Sequence, residues 1–551
     1  MRRFLMMGLM VTLAASVASA APNRPNPAWP SVDQQLAKDK VEPGSPLEKL
    51  IRANQDFQML RPEEANDKIP VPGWLRVAWR KEHPEGNYTA DDPTGGYPHA
   101  LKEIHEWMVK HQDLVPNQAD VWKAAEDDED MVLGEKAVGS DRRISGAQTV
   151  PRSESDIRID YWNPNRIIAG SNNIGGSGQQ AMYWSADGGT SWGQTFLPFT
   201  GTDSFHSDPT VDWQSTGTAW SSTLGIRGFN LVLRVYNSTN GGQTWSYSAN
   251  PSGRQKAVDK QMKWVDHSAT SPFKDYMYIC WHNNNPQFVA RRTAAGVWSA
   301  AAQISGTEST GTAIGCDVRT NAAGDAFVFW PTTGNRRIIV SKSTNGGGSW
   351  GTPKVIATTF DGYDIGIPSF NSRRALIYVS GGAYGSNVYA TWTDLTGVAG
   401  CNTASNEPGS NVASTCKSRI WFARSTDGGN TWGAPVMINN QPTLNDQFNQ
   451  WLGVDETNGR LAVIYYDTVA DPGRKKTNIF YQTSTDNGAT WSVATPITTL
   501  QTDETIAGAD SGNQYGDYNS LSIYAGKIFP SWTDRRNNGK EEIWTAPITE
   551  P

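Results

Sequence analysis

Five segments of this chain are nearly the same eight residues, beginning at Ser185 (SADGGTSW), Ser238 (STNGGQTW), Ser343 (STNGGGSW), Ser425 (STDGGNTW) and Ser484 (STDNGATW). The shared pattern, S-x-[DN]-x-G-x-x-W, specifies a tight turn. A short acid or amide side chain bonds nearby backbone N–H groups, and glycine supplies a positive φ that other residues avoid. The tryptophan anchors the turn by packing. Strand-like runs flank the boxes, such as 231–236 and 420–423, so each box is expected to close a β-hairpin.

The box starts lie 53, 105, 82 and 59 residues apart. Because 105 is close to twice 53, a decayed copy is expected midway, and RRTAAGVW, from Arg291, keeps Trp298 at the eighth position. The long gap before Ser425 holds a polar insertion, 393–418, which carries Cys401 and Cys416. A second repeat marks a strand upstream of each box, at Trp220, Trp281, Trp330, Trp392, Tyr466 and Trp532, and the non-aromatic run 166–171 precedes the first box. That makes seven units of roughly 50 residues, each built of short strands and turns. This is the signature of a β-propeller, whose blades bury one another's faces. The expected fold is therefore all-β, a seven-bladed propeller with six blades as the alternative, preceded by a partly helical extension. The last unit lacks a final strand, and a segment near 143–150 is expected to supply it and close the ring.

Residues 1–20 carry Arg2 and Arg3, then an apolar run, then Ala18-Ser19-Ala20, which reads as a secretory signal. No later apolar run is long enough to span a membrane, so a secreted or periplasmic, monomeric protein is expected. Four cysteines fit an oxidising compartment. Cys401 and Cys416 are expected to clamp the insertion; Cys280 and Cys316 either pair or leave Cys280 as a buried thiol. A net charge of -7 offers no basic face for nucleic acid. Residues 21–140, rich in prolines, charges and helical patterns, form a separate region, and the propeller occupies 141–551.

The box aspartates are explained by their turns, since Asn240 and Asn345 replace the acid in two copies. His99, His105 and His111 sit six apart, which is not the i, i+4 spacing of paired zinc ligands. More informative are the residues just before each blade's first strand, because those ends ring the central channel. They include Glu154, His206, Asp208, Asp259, Lys260, Asp361, Asp364, Gln447, Asn449, Asp517 and Tyr518. Several carboxylates facing one pocket shift one another's pKa values and create an acid/base pair. We assign catalytic candidacy to Asp208, Asp517, Glu154, Asp259 and Tyr518. Substrate-binding candidacy falls to His206, Lys260, Gln447, Asn449 and Arg535. The competing explanation is that these side chains cap strands or hold a structural cation such as calcium; no other cofactor is expected, and metal ligands are not identified. Trp213, Trp264 and Trp451 are either blade core or sugar platforms.

The boxes resemble those of the sialidase superfamily, also called BNR-repeat proteins, over about 153–547. SESDIRIDYWNPNRIIAGSN, HSDPTVDW, DKQMKWVD, QFNQWLGVD and GDYNSLSIYAGKIFPSWTDRR resemble its secreted bacterial, sialidase-like branch. That resemblance implies an exo-sialidase-like glycoside hydrolase acting on extracellular glycan. Such enzymes hold a substrate carboxylate with three arginines and use a Tyr-Glu nucleophile with an aspartate as acid/base. The family's F/Y-R-I-P motif is approached here by Asp156-Ile157-Arg158-Ile159-Asp160, which lacks the aromatic and the proline. The alternatives are a propeller that only binds glycan or protein, and a polysaccharide lyase working on uronates.

Overall fold

In a computed structural model, the described residues are 137–550 except 174, 537 and 538, together with 43, 44, 48, 52 and 83. The expected signal segment and most of the expected helical region lie outside them. The chain divides into two compact units, and Lys136–Glu550 is the one described below.

Among the described residues seven antiparallel sheets of four or more strands follow one another, each with a meander running outward from an innermost strand, and a two-stranded ribbon, Asp364–Ile365 with Ala375–Leu376, lies between the fourth and fifth. The innermost strands are Asp156–Ile159, Phe205–Trp213, Val258–Val265, Asp317–Thr320, Val379–Tyr384, Gln447–Val454 and Ser520–Tyr524. Each contacts the next, and the seventh contacts the first, so the ring closes as a seven-bladed β-propeller and the six-bladed alternative is set aside. The second strands carry the aromatic repeat. Trp281, Trp330, Trp392 and Trp532 are completely or almost completely buried there, and replacing any of them by alanine is expected to cost about 3–5 kcal/mol. Burial grades outward: Gln447–Val454 is buried at every position, whereas Ser246–Ala249, an outer strand, is mostly exposed.

The core lies between blades. One apolar cluster joins Trp220, Leu233 and Val235 of the second blade to Val258, Ile279 and Trp281 of the third; another joins Ile157 and Tyr183 of the first to Phe529 and Ile543 of the seventh. Polar clasps reinforce these seams. Asp156 accepts from Val211 N at 2.7 Å, Asp317 from Gly381 N at 2.8 Å, and Ser380 Oγ from Leu452 N at 2.9 Å.

Closure comes from upstream of the first blade, slightly earlier than the segment expected. Arg142–Arg143 pairs with Glu542–Thr545, while Ala137–Val138 pairs with Ile548–Thr549. Beyond that strand the ladder continues only as isolated bonds, such as Ile144 N to Ile543 O at 2.9 Å, and the run to 150 is not itself a strand.

The boxes are turns between third and fourth strands. Asp187 Oδ1 accepts from Ser191 N at 2.9 Å and from Ser185 Oγ at 2.8 Å, and Trp192 Nε1 donates to Gly189 O at 3.1 Å. Asn240 and Asn345 make the same backbone bond to Thr244 and Ser349. In the decayed copy Thr293 stands in the acid's place and its Oγ1 accepts from Val297 N at 3.2 Å. Cys401–Cys416 is a disulfide as expected, and Cys280–Cys316 is one too, which sets aside the alternative of a free thiol at Cys280. Among the described residues no helix is long and apolar enough to cross a membrane.

Candidate functional site

Three innermost strands begin with a β-bulge, between Ser207 and Thr210, Asp259 and Met262, and Phe448 and Trp451. Each bulge holds a non-glycine residue in the left-handed region: Asp208 (φ 57°), Lys260 (φ 47°) and Asn449 (φ 48°). Glu154 (φ 57°) has the same conformation two residues before the first blade's inner strand. Such backbone is uncommon, costs on the order of 1–3 kcal/mol per residue and clusters at functional sites. In the fourth blade Gly315 takes this place, where an added Cβ would collide with the Tyr378 ring.

A cavity of about 540 Å³ opens at this mouth of the channel, and Glu154, Asp208, Asp259, Lys260 and Asp517 all line it. Asn172, Tyr363, Arg373, Tyr378 and Asp510 line it too. Tyr518 lies beneath, with its ring centroid 3.0 Å from Lys260 Nζ. Antiparallel meandering sends the box turns to the opposite face, away from this cavity.

Asn172 couples two blades: its Nδ2 donates to Glu154 Oε2 at 2.6 Å and its Oδ1 accepts from Asp208 N at 2.8 Å. Asp208 Oδ2 in turn accepts from Lys260 N at 3.1 Å. Arg373 reaches across from the loop between the fourth and fifth blades, with Nη2 paired to Asp517 Oδ1 and 3.6 Å from Glu154 Oε1. Its loop is pinned by Gln514 Oε1, which accepts from the backbone N–H groups of Asn371, Ser372 and Arg373.

Electrostatics separate the carboxyls. Burial, then the neighbouring Asp259 and Glu154 charges, push the Asp208 carboxyl well above the usual carboxylate range. Burial opposes ionisation of Asp259 as well, but His282 and the Lys260 N–H outweigh it and hold that carboxyl below the usual range. Lys260 is pushed down to about 8 by burial, against the pull of Asp208 and Glu154. Burial raises the Tyr363 hydroxyl to about 12, and its oxygen lies 3.2 Å from that of Tyr378. The arrangement sets a carboxyl pushed up, Asp208, beside one held down, Asp259, with an ammonium brought down by burial and one arginine, a set suited to proton transfer onto a bound polar ligand.

Four expected binding residues lie outside the cavity lining. His206 is buried against Phe199 and Tyr236, and burial lowers its pKa to about 4. Gln447 donates to Asp467 Oδ2 at 2.9 Å, and Asn449 to Gly516 O at 3.1 Å. Arg535 is buried, donating to Asp503 O at 2.8 Å. Asp361 bonds Gly362 N, Asp364 pairs with Arg374, and Trp213 and Trp451 are core. Arg158 is enclosed beside Asp156, which leaves Arg373 as the arginine of the cavity among the described residues. No three described histidine, cysteine or acidic side chains are disposed to ligate a metal ion.

Sequence reasoning missed Asn172, Tyr363, Arg373, Tyr378 and Asp510. Tyr378 had a usable signal, since it stands two residues before the clasp residue Ser380, as Glu154 stands before Asp156. Arg373 had none, because its loop belongs to no repeat.

Fold and site together define a seven-bladed β-propeller with an acid-rich pocket at one mouth of its channel. No family model matches the sequence, and neither does any curated protein. Among solved structures, the BP39L lectin from Burkholderia pseudomallei is similar at 11% identity, covering 62% of this chain and 83% of the lectin, with a TM-score of 0.41. An α-L-arabinofuranosidase of Fusarium graminearum is similar at 12% identity, over 62% and 92%, with a TM-score of 0.37. The phage phi92 endosialidase is similar at 9% identity, over 75% and 69%, with a TM-score of 0.42. Likeness at this level decides nothing about the chemistry of this chain.

Proposed function

We propose that this protein is a glycan-active propeller that hydrolyses a glycosidic bond in the channel-mouth cavity. The observation that carries the reading is the gathering of Glu154, Asp208, Asp259, Asp510 and Asp517 around one cavity, where Asp208 is pushed up and Asp259 held down. A neutral acid beside ionised ones is what glycoside hydrolysis requires: one carboxyl protonates the leaving oxygen while another acts from the sugar's other side. In this reading Asp208 gives the proton, and Asp517, gripped by Arg373, is the carboxylate partner. Glu154, Asp259 and Tyr518 support them, and Lys260 and Arg373 orient the substrate. Arg373, the one arginine lining the cavity among the described residues, fits a general glycoside hydrolase better than the three-arginine sialidase scheme.

One observation favours a binding module instead. Asp208 Oδ2 is already engaged by the Lys260 backbone N–H, a seam between blades. The two readings separate in one experiment: reducing-end release from sialosides, uronates and neutral polysaccharides by wild type, Asp208→Asn and Asp517→Asn. Hydrolysis predicts a loss of 10²-fold or more in each variant with the melting temperature retained. Equal rates, or no release from any substrate, leave the binding module.

A further inference from the structure

A second cleft, of about 580 Å³, lies on the same mouth of the propeller and is lined by Phe229, Asn230, Arg254, Gln255, Lys256, Ala257, Asn283 and Asn284. We infer that this cleft is an outer subsite for an acid-bearing sugar unit of a polysaccharide whose other end occupies the central cavity. The inference rests on the glycan reading of that cavity and extends it to the substrate's class and length.

Three observations carry it. The cleft adjoins the cavity along one strand: Ala257 lines the cleft and Asp259, two residues on, lines the cavity. Two residues of strand span only about 7 Å, so a chain of a few sugar units anchored in the cavity reaches the cleft. The cleft's charge is opposite to the cavity's. Arg254 and Lys256 line it without any carboxylate among the described residues, whereas five acids and two cations line the cavity. A ligand bearing an anion on the unit outside the cavity would match both. Finally, Phe229 stands at the tip of a second-blade hairpin, after Gly228 (φ 57°), and is fully exposed. An exposed ring beside side-chain amides offers a stacking face and hydrogen bonds that suit a sugar ring and its hydroxyls.

The cleft floor is built rather than incidental. Leu231 N donates to Lys256 O at 2.9 Å, tying the second blade to the lead-in of the third, and Asn284 N donates to Ala257 O at 3.2 Å within the third. Trp281 Nε1 donates to Gln255 Oε1 at 2.6 Å and fixes that side chain from below.

The test is affinity electrophoresis of the full chain in native gels containing polygalacturonate, alginate or neutral dextran. Since the protein carries net charge -7, an anionic matrix does not retard it without a local cationic site. Wild type should be retarded by the two polyuronates and not by dextran. Phe229→Ala and the double variant Arg254→Ala/Lys256→Ala should each weaken retention on the order of tenfold, with Lys256→Gln as a milder surface change whose loss is smaller. Asp427→Asn, in a box turn on the opposite face, should be retained like wild type, and because retention is read without turnover an absence of catalysis leaves this result standing. Retention by dextran equal to that by polyuronate, unchanged retention of the cleft variants, or no retention at all would overturn the inference.

Discussion

Lys260 and Tyr518, from the third and seventh blades, meet across the channel mouth with the ammonium 3.0 Å from the ring centroid. The contact compensates a cation that burial has brought down to a pKa of about 8. A cation over an aromatic face gains about 0.5–2 kcal/mol. Tyr518→Leu should therefore lower the Lys260 pKa further, by about 0.4–1.5 units. Tyr518→Phe, which keeps the ring, should leave it nearly unchanged. Lysine side-chain NMR titration reads this directly, and an identical midpoint in wild type and the leucine variant would show that the ring contributes nothing.

The box acids serve their turns. Hydrogen bonds from the Ser191 hydroxyl and N–H, with one from Ser185, bring Asp187 down to about 2. Asparagine accepts the same backbone bond in two boxes, so Asp427→Asn should melt with wild type, while Asp427→Ala melts lower. Glycan binding at the opposite face should be untouched in both. A binding defect in a stable Asp427→Asn would contradict the assignment.

His267 lies 2.8 Å from Asp212 and 3.5 Å from Glu456. Burial depresses its pKa, but Asp212 and then Glu456 dominate and raise it to about 10. Because the folded value exceeds the unfolded one, near 6.5, its contribution is full below pH 6.5 and is lost as pH rises through 10. Lys260 and Lys263, lowered to about 8 and 7 by burial, act oppositely over part of this window. The difference in unfolding free energy between wild type and His267→Asn should therefore shrink between pH 7 and 10, by at most about 1.4 kcal/mol per pH unit. Parallel curves would refute the pairing.

Cys280–Cys316 ties the second strand of the third blade to the lead-in of the fourth, across 36 residues. Replacing both cysteines by alanine should cost about 3–4 kcal/mol in urea unfolding. Cys401–Cys416 closes a 15-residue span within one insertion, and its removal should cost about 3 kcal/mol. A double alanine variant at 280 and 316 with an unshifted urea midpoint would show that packing alone holds this seam.

The blade count and the hairpin boxes were legible in the sequence because they depend on bonds within a few residues, such as Asp187 to Ser191. The mouth of the channel was legible too: Glu154, Asp208, Asp259, Lys260 and Asp517, chosen as strand-leading residues, share one cavity. The same position ahead of the inner strand also put forward His206, Gln447 and Asn449, which do not line it. The left-handed residue within each bulge breaks the two-residue rhythm of the strand, so His206 turns against the Gln180 N–H of the first blade and Gln447 against Asp467 of its own. Arg373 and Asn172 depended on tertiary structure altogether. Arg373 meets Asp517 across 144 residues, and Asn172 meets Asp208 across 36, contacts that exist only once the blades pack in order and the seventh closes on the first. Local bonding determined the units of this protein; ring closure decided which of their side chains share a pocket.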